Sequence, residues 1–460
     1  MRMEVARHPG NLRSGTASLL AAVMFLLIFV VSSSQSSFAI AAFARKYGLP
    51  CSACHDAWPK LNNFGQNFKD NGYQLMNDRD APIWQNPSYW PVAFRITPNW
   101  DLENVGKVAT DQAASGYQSV NTHAFNLTGL DILTAGTLNK DISFLLVPSS
   151  DETGAFHFES AWVRFDNLFH SSWANLKFGK FELDNLISEK RTLLLSPNGS
   201  SYQFYHFLPF GDANPNVFGI GDNQLGMEFA GHSKNDYTRF SAAILSSSDG
   251  NVDNPYGSTY DANLTASTAF NAGSLGLQRI GAQAYIGQAP TYYLTSGGAA
   301  IPGTGRGNRT FSREAIFAML YFGKFDVTPM FGHGAESAYL ANYVDTAGSS
   351  PVLPAGSHNP SWNNAMVEAH YLPNPQLIFI YRYDQIFMHQ QPNDALPNDA
   401  GNTLANTVAV RYYPFMHSRA GFALHGEFSH VSQKHAFTPD TSTFLDQTYN
   451  SLFGGMDFIF

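Results

Sequence analysis

Apolar and polar positions alternate with period two along much of this chain. In 375–387, Leu377, Phe379, Tyr381 and Tyr383 fall on one face, with Arg382 and Asp384 on the other. In 419–430, Phe422, Leu424 and Phe428 oppose His425, Glu427 and Ser429. In 278–287, Ile280, Ala282, Ala284 and Ile286 oppose Arg279 and Gln283. Successive side chains of an extended strand point to opposite faces, so these runs predict half-buried strands. Segments 155–167 and 313–322 alternate poorly. Clusters of Pro, Gly, Asn, Asp and Ser separate the runs, as turns require.

The pattern places strands near 91–101, 121–136, 141–149, 155–167, 173–183, 223–232, 236–247, 277–287, 313–322, 324–333, 361–371, 375–387, 404–413, 418–430 and 449–460. Links at 137–140, 168–172, 233–235, 323, 372–374 and 414–417 are short. Links at 102–120, 184–222, 248–276, 334–360, 388–403 and 431–448 are long. Strands of about ten residues suit a tilted bilayer crossing, and short turns alternating with long loops characterise outer-membrane barrels. A soluble sandwich has shorter strands and more even turns. The alternation breaks once, between 287 and 313; a further strand near 291–296 repairs it and makes the number even. The expected fold is therefore mainly β: a transmembrane antiparallel barrel of about 16 strands, with a small N-terminal α-helical segment. Both barrel ends fall on the periplasmic side, and loops 184–222 and 248–276 on the outer face. Leu452, Gly454, Met456, Phe458 and Phe460 alternate back from the C-terminus as a barrel-closing strand, its terminal Phe serving outer-membrane assembly. Tyr89 and Trp90, and Tyr412 and Tyr413, stand where an interfacial aromatic girdle is expected.

Composition narrows the partners. Of the 460 residues only 14% are charged, against roughly 25% in ordinary domains, while 14% are aromatic, including 37 Phe and 21 Tyr. The net charge is −9 and no Lys/Arg cluster runs along the chain, which argues against nucleic acid. A 44% hydrophobic content excludes wholesale disorder.

Arg2, Arg7 and Arg13 precede an apolar run over 19–31, and Ala39-Ile40-Ala41 ends a Ser-rich stretch. This reads as a secretory signal cut after Ala41. The alternative, an uncleaved anchor, needs about 20 apolar residues. Cleavage removes three positive charges and one negative, taking the net from −9 to −11. Residues 42–88 then form a short segment ahead of the barrel at 89–460.

That segment holds both cysteines of the chain, in Cys51-Ser52-Ala53-Cys54-His55. C-x-x-C-H is the attachment pattern of c-type haem. Two thiols one turn apart reach the haem vinyl groups, and the adjacent His ligates iron. A zinc site would need a second Cys pair, a redox pair a βαβ setting, and a disulfide would leave His55 idle. Pro59 and Gly72 bracket an expected helix within 57–73, whose Leu61, Phe64 and Phe68 make one apolar stripe suited to covering a haem face. Met76 is the nearest soft candidate for the second axial ligand. Glu228, Glu368, His370, Asp384, His425 and Glu427 are expected to face the lumen, chiefly as ordinary polar lining.

An export signal, one C-x-x-C-H near the mature N-terminus and a barrel ending in Phe together resemble the fused monohaem c-type cytochrome–porin family. The haem segment of that family is similar to Phe43-Ala44-Arg45-Lys46-Tyr47-Gly48-Leu49-Pro50-Cys51-Ser52-Ala53-Cys54-His55. The resemblance implies one covalently bound haem c on Cys51 and Cys54, with His55 as proximal ligand. It also implies electron transfer across the outer membrane, between an extracellular donor or acceptor, ferrous iron included, and a periplasmic carrier. Two other functions fit the same sequence. One is a solute porin whose haem segment is a plug or sensor. The other is a soluble periplasmic haem protein built on a β-sandwich.

Overall fold

The computed structural model describes residues 41–57, 60–76, 80–82, 91–109, 117–150, 154–184, 207, 209, 223–246, 260–291, 307–340, 357–390, 401–416, 420–438 and 443–460. The expected signal, the strand near 291–296 beyond Thr291, the girdle pair Tyr89 and Trp90, and nearly all of loop 184–222 lie outside them.

The described residues open with a small helical unit. Its elements are α1 (Ala41–Tyr47), α2 (Cys51–Cys54), β1 (His55–Ala57), β2 (Lys60–Leu61) and α3 (Asn63–Asp70). Sixteen strands follow: β3 (Val92–Ala109), β4 (Tyr117–Asn139), β5 (Ile142–Ser150), β6 (Phe156–Phe165), β7 (Asn175–Glu182), β8 (Asn223–His232), β9 (Thr238–Ser246), β10 (Tyr260–Asn271), β11 (Leu277–Thr291), β12 (Gly307–Phe322), β13 (Phe325–Ala335), β14 (Ser361–Asn374), β15 (Leu377–Met388), β16 (Thr403–Met416), β17 (Gly421–Thr438) and β18 (Thr443–Ile459). Each pairs antiparallel with the next, and β18 pairs with β3 to close the barrel. At the seam Phe94 and Phe460 exchange backbone hydrogen bonds of 2.8 and 3.0 Å, and their rings stack 5.3 Å apart. Closure leaves no strand edge unpaired, the condition for spanning hydrocarbon with β-structure.

The burial pattern is inside-out. Along β10 the exposed residues include Tyr260, Leu264 and Phe270, whereas Asp261, Asn263, Thr265 and Ser267 are buried. Along β15, Phe379 and Tyr381 are exposed while Arg382 and Asp384 are fully buried. Apolar side chains turned outward and polar ones turned into the lumen are the arrangement a lipid solvent selects.

Three expectations need correcting. The sixteenth strand is β10, inside what reads as the long link 248–276. Its alternation uses Ala, Thr and Ser, too small to give a strong apolar signal. With β10 in place, a short turn at 272–276 precedes β11, and the break in the alternation between 287 and 313 disappears. Links 102–120 and 431–448 are mostly strand: β3 and β4 run on to Ala109 and from Tyr117, and β17 and β18 to Thr438 and from Thr443. Polar residues there mark ribbons that outrun the ten or so residues a bilayer needs. Tyr413 is not part of a girdle: it is 2% exposed and faces the lumen.

Candidate functional site

The N-terminal unit sits in the barrel at the end that carries the short turns. Its partners lie on strands all round the wall. Arg45 donates to the Val92 carbonyl at the start of β3 (2.6 Å). The Tyr73 ring stacks on Trp162 of β6, centroids 6.1 Å apart. Arg164, also of β6, donates to the carbonyls of Lys69 and Asp70 (2.8 and 3.1 Å). Asp70 accepts from Arg239 of β9 (3.2 Å), and Lys60 pairs with Asp326 of β13 (2.7 Å). Only a body inside the lumen can touch β3, β6, β9 and β13 at once. The segment is thus a plug, held by buried ions as well as by apolar contact. A cavity of about 50 Å³ remains between Lys60, Gln66 and the wall residues Arg279, Tyr321, Glu368 and His370.

The plug's fold follows from a few residues. Asn62 caps α3: its Oδ1 accepts from the Gly65 N–H (2.9 Å). The same side chain donates to the carbonyls of Ser52 and Ala53 (3.3 and 3.1 Å), and its backbone N–H to that of Cys54 (3.0 Å). One asparagine therefore ties α3 to the cysteine turn. Gly65 lets them touch, since a Cβ there would lie 2.0 Å from the Cys54 carbonyl oxygen. Phe43, Phe68, Tyr47 and Tyr73 pack as an aromatic cluster with centroids 4.8–5.9 Å apart.

This differs from the helix expected over 57–73. Capping by Asn62 starts α3 only at Asn63, so Leu61 belongs to a short bridge with His55. Gly65, Gln66, Phe68 and Asp70 are buried, whereas Phe64 is 45% exposed. The apolar stripe reduces to Phe68.

His55 follows α2 directly, as the first residue of β1. Both thiols are free, and Cys51 and Cys54 stand at the two ends of α2. Cys51 is 4% and His55 5% exposed. Cys51 shares a buried apolar cluster with Phe68 and Tyr73 of the plug and with Ile378, Ile380, Tyr413 and Ala423 of the wall. Burial pushes the Cys54 thiol up to about 11; it raises that of Cys51 further, with the neighbouring Cys54 adding to the effect. Both sulfurs are held as neutral thiols at neutral pH. Burial pushes the Asp70 carboxyl up; the Arg239 guanidinium, His232 and the Gln66 amide together outweigh this and hold it below the ordinary range. Asp56 moves the other way, raised by burial. Met76 stands apart: it is 53% exposed, with a left-handed φ of 57°.

Glu228, Glu368, His370, Asp384, His425 and Glu427 are all buried and face inward. Several are already engaged. Glu228 accepts from Lys177 and Ser241, and both nitrogens of His370 meet carboxylates, Asp326 at 2.7 Å and Glu368 at 2.8 Å. Among the described residues no group of three or more His, Cys, Asp or Glu could hold a metal ion. The wall residues that grip the plug (Arg164, Arg239, Asp326) gave no signal in the sequence, because each is paired with a residue 94 or more positions away.

No protein-family model matches the sequence, and no curated relative matches it. Solved structures similar to the chain include OmpT of Vibrio cholerae as a loop L8 deletion mutant, with 10% identity, 80% of this chain and 99% of that one covered, and a TM-score of 0.48. The outer-membrane channel DcaP of Acinetobacter baumannii gives 10%, 80%, 96% and 0.48. OmpF of Salmonella typhi gives 10%, 83%, 100% and 0.46.

Proposed function

We propose that this chain is a porin-like barrel of the outer membrane whose short-turn mouth is stopped by its own N-terminal plug, and that the plug carries one haem c. The plug's fastening to the wall by Lys60–Asp326 and Asp70–Arg239 is the observation that carries the reading. Ion pairs buried to this degree hold a position; they are not the contacts of a passing segment. A plug in a porin-like barrel controls what crosses it, as a gate or sensor for small solutes.

The haem part rests on the donor set. Two free thiols at i and i+3 on one turn, followed directly by a buried imidazole, match what covalent haem attachment requires. Cys51 and Cys54 would hold the group by thioethers, His55 would ligate its iron, and the bound haem would supply one-electron chemistry. The chain's own part is to keep both thiols neutral until attachment, to orient His55 through its bridge to Leu61, and to surround Cys51 with apolar side chains.

The C-x-x-C-H turn favours a second reading. In it the plug passes electrons between an extracellular donor or acceptor, ferrous iron among the candidates, and a periplasmic carrier. One pair of measurements separates the two. Solute flux through liposomes holding the wild type and Cys51→Ala/Cys54→Ala tests the porin. Reduction of haem in intact cells by external Fe²⁺ tests the conduit. Flux that survives loss of the cysteines, with no reduction from outside, supports the plugged porin; reduction from outside without flux supports the conduit.

A further inference from the structure

We propose that the outward face of the barrel at β12–β14 is a phospholipid site, with an acyl chain in an apolar groove and a phosphoethanolamine headgroup on Glu314 and His333. The proposal needs only a barrel that stands in a membrane and is independent of the haem reading.

The groove lies on the lipid side of the wall. It holds about 830 Å³ and runs across β9–β14. Ala266, Ala282 and Ala318 form its floor, and the exposed side chains of Ile280, Ile316 and Phe331 rise beside them. The strand register sets these residues in two adjacent rows. In one, Ala266 is opposite Ala282, Ala282 opposite Ile316, and Ile316 opposite Phe331. In the other, Ile280 is opposite Ala318. Small side chains flanked by large ones lower the surface locally, and lipid is what bathes this face of a barrel.

The row above the groove is polar. Glu314 of β12 is opposite His333 of β13, and His333 is opposite Asn363 of β14. Glu314 is two residues from Ile316 and His333 two from Phe331, so both point outward as those residues do. The Nδ1 of His333 donates to Asn363 Oδ1 (3.0 Å), which leaves Nε2 of the neutral ring as an acceptor. Glu314 has no hydrogen bond or ion pair among the described residues, and its Oε2 is shut off from solvent without a partner. An ionisable group on the lipid side is costly unless something pairs with it. Here the protein supplies nothing, so the partner comes from the bilayer.

The height of this row fits a headgroup. Phe325, Tyr371 and Phe379 stack side by side at the short-turn end, with centroids 4.5 and 6.4 Å apart, as an interfacial girdle does. His333 and Asn363 stand eight residues farther along the strands of Phe325 and Tyr371. Eight residues at about 3.4 Å each, tilted by about 40°, rise roughly 21 Å, close to the full height of an apolar band of about 25 Å. The polar row therefore meets the edge of the band at the long-loop end, with the groove below it among the chains. Two acceptors side by side, a carboxylate and an imidazole nitrogen, suit a primary ammonium with its three N–H donors. A choline headgroup has the charge without the donors, and a glycerol headgroup lacks the charge.

The test uses the full chain, purified in detergent, stripped of lipid, and titrated by native mass spectrometry with phosphatidylethanolamine, phosphatidylcholine or phosphatidylglycerol. Heat-modifiable migration confirms that each variant is folded. The wild type should bind one phosphatidylethanolamine about tenfold more tightly than either other lipid, the size of one hydrogen bond to a charged group. Glu314→Gln, an isosteric change on the outer surface, should abolish that preference. Ala318→Trp, which fills the groove, should weaken all three lipids alike. Equal binding of phosphatidylethanolamine and phosphatidylcholine by the wild type would overturn the proposal, as would a preference that survives Glu314→Gln. Oligomers of the wild type that Ala318→Trp splits, with no lipid retained, would make the groove a contact between copies of the chain and overturn it as well.

Discussion

Lys60 of the plug and Asp326 of the barrel wall form an ion pair of 2.7 Å, with both side chains more than nine-tenths buried. Lys60 also reaches Nδ1 of His370 at 3.2 Å, and His370 itself bonds Asp326 and Glu368. Removing one partner of a buried pair leaves the other charge uncompensated, at about 3–5 kcal/mol. Lys60→Met should therefore loosen the plug and raise single-channel conductance in planar bilayers. Lys60→Met/Asp326→Leu, which removes both charges, should recover part of the closure. Conductance equal to wild type in Lys60→Met would remove the pair from the latch.

The second fastening depends on pH. The Asp70 carboxyl, buried but facing Arg239, titrates below its unfolded value of about 3.9. A depressed carboxyl contributes stability that is fully present above the unfolded value and is lost as pH falls through the folded one. Protease cleavage of the plug should stay slow at neutral pH and rise only below about pH 4. Asp70→Asn should be cleaved faster at neutral pH and lose this acid-dependent step. A wild-type profile flat down to strongly acid pH would contradict the assignment.

Asn62 joins α3 to the cysteine turn, and Gly65 allows their contact. Losing a helix cap costs about 1 kcal/mol, and overpacking a close contact about 1–3 kcal/mol. Asn62→Ala should lower haem occupancy modestly and Gly65→Ala strongly, because the Ala methyl meets backbone, not a movable side chain. Occupancy is read from the haem-to-protein absorbance ratio of purified barrels. An occupied Gly65→Ala would mean that the cysteine turn tolerates displacement from α3.

Much of the barrel was readable from the sequence because lipid outside and polar lumen inside impose period two on most strands. The exceptions are instructive. The pattern fails in 155–167 and 313–322 because Trp162 and Phe317 turn inward, and Trp162 does so to stack on the plug residue Tyr73. The plug makes part of the lumen apolar and so erases the contrast on which the pattern depends. β10 is faint for another reason: Ala and Thr satisfy a lipid face without a strong signal. The cysteine motif can be read from the sequence because it is local: Cys51 and Cys54 bound α2, and His55 follows at once as the first residue of β1. The latch pairs were not, since Lys60 and Asp326 meet only once the barrel has closed.

The seam offers a test of assembly. Phe460 stacks on Phe94 and packs against Phe458 at 5.4 Å, while its backbone pairs with Phe94. Phe460→Ala keeps the backbone bonds and loses ring contacts of about 0.5–1.5 kcal/mol each. Folded barrel, measured by heat-modifiable migration of outer-membrane fractions, should fall, with the remainder still closed. Unchanged yield would limit Phe460 to a backbone role.

The proposed barrel, stopped by a plug that carries one covalent haem, has a definite mass. The most direct measurement is the intact mass of the full chain purified from outer membranes of cells with haem-maturation machinery. The expected mass is that of the polypeptide plus one haem, with the addition mapping to the peptide holding Cys51 and Cys54 and absent from Cys51→Ala/Cys54→Ala. A wild-type chain with the mass of the bare polypeptide would contradict it.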